Sequence, residues 1–269
     1  MTGGHPKGPP AVIGFDADGR LAAGRWCLVT VRDQAGSSEG PTFRIHEQQR
    51  AYALRTLHAY VEKVEGLVLP AFGDVSKTVT PFDGEELREE DGAAVRAEKL
   101  EALAQWSEAE EERKDLDFVR DRILEMSVAG LYHLWERRIK HMLRSIEEAQ
   151  AAGADASKSL AKINRADFED TILRIARCGW KVEEESFFAK LTELRLVANA
   201  VKHGEGKSLD DLWAASPRLF WPYAEEAMPV HFGTQERGDN SLEIRSEHFR
   251  DFAGAVEAFW RAVPSADRP

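Results

Sequence analysis

The stretch from Asp117 to Ala151 constrains the fold more than any other part of the chain. Val119, Ile123, Met126, Leu131, Leu134, Trp135, Ile139, Met142, Leu143 and Ile146 recur mostly at three- and four-residue steps. That spacing stacks side chains along one side of an α-helix. At about 1.5 Å of rise per residue, some 30 residues make a rod of roughly 45–50 Å. A rod with one apolar side must bury it against other helices, so an all-α bundle is expected.

Further helical periods flank this rod. Ile45, Leu54, Leu57, Val61, Val64 and Val68 predict a helix from about Phe43 that ends at Leu69, before Pro70. Residues 70–92 read as a loop. Ala93–Lys114 is charged and Ala-rich, with Val95, Leu100, Leu103 and Trp106 as a thin apolar stripe, and reads as a helix that largely faces water. Gly153 closes the long rod and Ala154–Ser159 reads as a linker. Phe168, Ile172 and Ile175 mark a helix up to Gly179, Glu184–Lys202 marks another that Gly204 stops, and a last helix starts near Ser246. Strand-like residues are confined to two places. Ala11–Phe15 and Trp26–Val31 flank an Asp18-Gly19 turn, and Val230–Phe232 and Leu242–Ile244 flank Gly238-Asp239-Asn240, so each pair is a candidate hairpin. The expected organisation is a Gly/Pro-rich segment over 1–40, a helical domain over 41–263 and a loose tail over 264–269.

Formal net charge is −11, which on average repels polyanions. The acids crowd into Glu85–Glu112 and the bases into Arg137–Arg144, so a nucleic-acid site has to be local. Two cysteines far apart argue against a disulfide framework or a thiolate zinc cluster. The eight histidines form no H-E-x-x-H pattern, and no metal site or cofactor is expected. Phosphate-binding glycine loops and nucleophile elbows are missing from the sequence too. With no apolar leader and no membrane-length run, the chain is expected in the cytoplasm.

One segment carries a concentration of chemistry, Glu193-Leu-Arg-Leu-Val-Ala-Asn-Ala-Val-Lys-His-Gly204. On a helical wheel Leu191, Leu194, Val197, Ala198 and Val201 face the core. Arg195, Asn199 and Lys202 fall within about 60° of one another at the edge of that face, with His203 about 40° beyond Asn199. Guanidinium and ammonium groups bind phosphate oxygens. An imidazole moves protons near neutral pH, and an amide can orient it. This set suffices for metal-free RNA cleavage, in which the 2′-hydroxyl attacks the adjacent phosphorus. The same residues have a plainer explanation. Lys and His in a last turn before Gly complement the helix dipole, and Arg and Asn at a core border bond neighbouring loops.

The stretch Leu194–Gly204 resembles the signature helix of the HEPN superfamily, the higher eukaryote and prokaryote nucleotide-binding domains. That resemblance implies a helical bundle and a metal-independent endoribonuclease of toxin or phage-defence type, working as a homodimer on RNA, with an antitoxin or other partner protein. It assigns catalytic roles to Arg195, Asn199 and His203, and a phosphate contact to Lys202. Ala198 stands where the family's arginine is usual, and Arg195 lies one turn earlier, within reach of the same patch. Relatives with degenerate motifs act as non-catalytic modules that bind RNA, nucleotides or partners, and this is the alternative reading.

Arg137, Arg138 and Lys140 in the long rod are candidates to extend an RNA- or phosphate-binding surface, and Glu136 is a candidate to hold Arg195. The plainer reading is a solvated face with i,i+4 pairs such as Glu136 with Lys140. Phe220-Trp221-Pro222-Tyr223 is an aromatic cluster expected to pack down the loop after the signature helix.

Overall fold

The computed structural model of the protein describes residues 42–72, 92–150, 155–204, 206–220 and 242–267. Of these, 84% are helical and none forms a strand, so the class is all-α. The helices are α1 (Glu47–Lys63), α2 (Ala93–Gln150), α3 (Asp155–Arg165), α4 (Phe168–Arg177), α5 (Phe188–His203), α6 (Lys207–Ala215) and α7 (Ser246–Ala262). The candidate N-terminal hairpin and Val230–Phe232 lie outside the described residues.

The helices expected over 93–114 and 117–151 are one helix, α2, 58 residues long. No Gly or Pro separates Lys114 from Asp117, and Arg113 fastens the junction. Its guanidinium donates to Glu110 one turn back and to Asp117 one turn on, both at 2.8 Å. The N-terminal half of α2 faces water, with Leu100 52% and Phe118 53% exposed. Val119 and Met126, expected on the buried side, are exposed as well: on a wheel of α2 both point away from Ile139, and Met126 stands exposed between the buried Glu125 and Ser127. The helices that cover α2 lie against its C-terminal half. There Val128, Leu131, Trp135, Ile139, Met142 and Ile146 are buried beneath α5 and α7.

From Asp155 the expected linker is instead the start of α3, and Ala154 lies outside the described residues. Ser159 donates a hydrogen bond to Glu147 of α2, and Ile163 is fully buried, so the segment docks back on α2 as a helix. The side chain of Asp167 caps α4 by accepting from the Asp170 amide at 2.8 Å. Gly179 follows α4 with φ at 84°, a conformation that favours glycine. α5 starts four residues later than Glu184, because a short 3₁₀ turn over Val182–Glu184 is followed by an extended Glu185.

α1 begins at Glu47. Phe43 and Ile45, expected to be helical, are extended: Phe43 N–H donates to the Cys178 carbonyl at 2.6 Å and Ile45 N–H to that of Pro264 at 3.0 Å. The residues after 263, expected to be loose, are pinned as far as Asp267. Ala266 N–H donates to the Ile45 carbonyl at 2.8 Å, and Asp267 accepts from the Glu47 amide at 2.6 Å and contacts His46 Nδ1 at 2.5 Å. Arg50 adds a clamp. It donates to the carbonyls of Trp260 and Arg261, each at 2.7 Å, and of Val263 at 2.6 Å, the acceptors that the end of α7 leaves over. Leu242, expected in a hairpin, bridges to Phe220 in antiparallel fashion. Phe220 is buried against the Trp213 ring, 5.0 Å away.

Phe259 of α7 is the hub of the core. Its ring contacts Trp135, Trp180, Phe187 and Trp260 at centroid distances of 5.1–5.8 Å. α1 and α2 both pack on α7 but touch each other little, and a cleft opens between them.

Candidate functional site

On α5, Leu191, Leu194, Val197 and Ala198 are buried, as the wheel requires. Arg195 turns toward α4. Its guanidinium pairs with Glu169 at 2.8 Å and lies over the Phe168 ring at 5.1 Å, while its Nε is buried without a hydrogen-bond partner among the described residues. Tyr132 of α2 stands nearby. Burial raises its phenol pKa first, and the carboxylates of Glu136, Glu169 and Asp167 raise it further against the opposing charge of Arg195. Glu136 does not hold Arg195. It accepts from Lys140 at 2.9 Å and contacts His133 at 3.4 Å. Asn199 is half-buried. Lys202 and His203 are exposed and make no hydrogen bond or ion pair among the described residues. One helix edge therefore carries Lys202 and His203 into solvent beside a half-buried Asn199, while Arg195 is engaged with α4. Along the axis, the eight residue steps from Arg195 to His203 span about 12 Å.

A different set converges on the cleft between α1 and α2, which has a volume of about 690 Å³. Arg137, Arg138 and Arg144 line it from α2 together with His133 and His141. Tyr52, Thr56 and Tyr60 face them from α1, and Val256 and Trp260 of α7 form the floor. Among the described residues, no Asp or Glu lines it. A wheel of α2 explains the segregation. Residues 130, 134, 137, 141 and 144 lie within about 40° of one direction, roughly opposite Ile139 and Trp135 on the core side.

The cationic wall is part solvated and part held. Arg137 is exposed, and Arg144 donates to the neutral Asn164 Oδ1 at 3.2 Å. Among the described residues neither has a carboxylate partner. Arg138 lies over the Tyr52 ring at 4.3 Å, a cation–π geometry, and burial lowers its pKa. Burial also lowers the pKa of His141, and the charges of Arg144 and Arg138 lower it further. Lys140, grouped with these residues by sequence, is engaged with Glu136 and does not line the cleft. Tyr60 holds the opposite wall, donating from its hydroxyl to the Ser127 carbonyl at 2.8 Å. This approach requires Gly130, where a Cβ would collide with the Tyr60 hydroxyl.

Arg137 and Arg138, named from the sequence as candidate phosphate ligands, line the cleft, whereas Arg144 and the tyrosines of α1 are not among the candidates named there. A signal existed. Tyr52, Thr56 and Tyr60 recur at four-residue steps, and Arg137, His141 and Arg144 at four and three, so each set shares one helix face.

Among the described residues no group of three or more His, Cys, Asp or Glu side chains is arranged to hold a metal ion, and no helix is long and apolar enough to cross a membrane. In comparisons with known proteins, the chain matches no family model, no curated protein and no solved structure.

Proposed function

We propose that this protein is an RNA-binding module whose site is the cleft between α1 and α2. The observation that carries this reading is the wall of three arginines and two histidines with no carboxylate among the described lining residues, in a chain of net charge −11. A carboxylate-free basic cleft in an acidic protein focuses positive potential at one place and draws in phosphate. The facing tyrosines supply flat surfaces on which unpaired bases stack. Fluorescence anisotropy with a labelled single-stranded RNA tests it. Arg137→Ala with Arg144→Ala should weaken binding at least tenfold. It should also flatten the salt dependence, since each phosphate that is no longer neutralised reduces the logarithmic salt slope by about 0.7. Unchanged affinity and slope in the double variant would remove the proposal.

A second reading, the metal-independent endoribonuclease implied by the HEPN resemblance, is favoured by the exposure of Lys202 and His203 at the end of α5. In it His203 moves the proton, Asn199 orients the imidazole and Lys202 meets the phosphate. Arg195 joins only by leaving Glu169. Total RNA incubated with the protein in chelator should then be cut, and His203→Ala should abolish the cut. Equal background in both samples would dismiss the enzyme and leave the binding module intact. The homodimer belongs to this reading, and sedimentation velocity tests it.

A further inference from the structure

We infer that the cleft recognises a terminal phosphomonoester next to an unpaired base, the 5′-phosphate end of an RNA or a free nucleotide 5′-monophosphate. This rests on the reading of the cleft as a phosphate site and adds which phosphate it selects.

The first support is charge density. Arg137 and Arg144 share one helix face two turns apart, and Arg138 lines the same cleft from about 100° further round, with no acid among the described residues of the lining. A backbone phosphodiester carries one negative charge. A terminal phosphomonoester carries about −1.5 to −2 at neutral pH and offers three non-bridging oxygens. Clustered guanidinium forks are better matched by the second, because it brings more negative charge and one more non-bridging oxygen for them to share.

Shape is the second support. α7 lies beneath both walls, and Val256 and Trp260 close the bottom of the cleft. At about 690 Å³ the space is in the range of pockets that enclose one small ligand. A floored cleft of this size admits a chain end more readily than it lets a strand run through. The third support is the disposition of rings. Tyr52 has one face under Arg138, and the Tyr60 hydroxyl is fixed to Ser127, so both rings are held in place beside the cationic wall. A nucleotide bound with its phosphate on the arginines has its base within reach of that aromatic side.

The test compares two ten-nucleotide RNAs of one sequence, with a 5′-phosphate or a 5′-hydroxyl, on the full chain. The phosphorylated strand should bind at least tenfold more tightly, and Arg137→Ala with Arg144→Ala should erase the difference. Adenosine monophosphate should compete, and inorganic phosphate should compete at least tenfold more weakly because it brings no base. Competition by the monophosphate without any binding of RNA would identify a nucleotide site, keeping the end-group inference and ending the RNA proposal. In the bound complex the ring protons of His141 should titrate at higher pH than in the free protein, since a nearby dianion favours the imidazolium. Equal affinity for the two strands would overturn the inference while leaving RNA binding in place. Retention of the preference in the folded double variant would overturn it too, by moving the site elsewhere.

Discussion

Arg195 shows how one side chain reads differently by sequence and by structure. The helical wheel puts it at the edge of a buried face, beside Asn199. That edge meets the start of α4, where Glu169 and the Phe168 ring engage the guanidinium. Position on the helix was legible, but the partner was not, because Glu169 comes from another element. Arg195→Ala is expected to cost about 1–2 kcal/mol, mainly by uncovering the Phe168 ring, since Glu169 is 65% exposed and its pairing is screened. A shift of a few degrees in thermal midpoint checks it. Glu193, two residues earlier on the same helix, is a stronger structural group. It is 9% exposed, bonds Lys190 at 2.8 Å and takes Arg218 as a second partner. Burial pushes its pKa up, but hydrogen bonds from Lys190 and Ser216 and the charges of Lys190 and Arg218 outweigh it, so the pKa lies below the ordinary 4.5. A carboxylate with a depressed folded pKa lends stability above its unfolded pKa and loses it as pH falls through the folded value. Urea unfolding followed down from pH 5 should show that loss, and Glu193→Gln should unfold at lower urea at pH 7 and lose less on acidification.

Among the elements, the rods were the most legible and their joins the least. Apolar periodicity locates the core side of α2 from Val128 to Ile146, but an apolar residue can keep three- and four-residue spacing and still point away from the core, as Met126 does between the buried Glu125 and Ser127. The start of α3 resembles a linker because its residues are small and polar. Its helix is held by docking on α2, a long-range cause that local composition does not express. The approach of α1 to α2 turns on a single absence of side chain. Alanine is normally about 1 kcal/mol better than glycine inside a helix. At position 130 the sign should reverse, because the new methyl meets the Tyr60 hydroxyl. Gly130→Ala is expected to destabilise by about 1–3 kcal/mol. With Tyr60→Phe in the background, that penalty should shrink or change sign, as a double-mutant cycle in urea would show.

For the molecule as a whole, closure depends on bonds between the first and last of the described segments. Arg50 near the start of α1 bonds three carbonyls at the end of α7, and Ile45 pairs with Ser265. None of this is visible in the sequence, where Arg50 is one arginine among many and the last residues resemble a free tail. Arg50 is only 12% exposed at its side chain, so its bonds are partly shielded. Arg50→Ala is expected to cost about 2–4 kcal/mol, by removal of charged hydrogen bonds and the stranding of their acceptors, measurable by calorimetry.

The great length of α2 has a mechanical consequence. Among the described residues, the helix beyond Leu124 toward its N-terminus is little covered by other elements, and same-helix ion pairs such as Arg113 with Glu110 and Asp117 help to sustain it. Such a stretch is coupled only weakly to the cooperative unfolding of the body. Amide deuteration should therefore sweep inward from Ala93, reaching residues near 120 long before Trp135, and raised salt should hasten the front. The expected outcome is two melting regimes in one continuous rod, with a far end that shortens and regrows while the cleft near Arg137 keeps its shape.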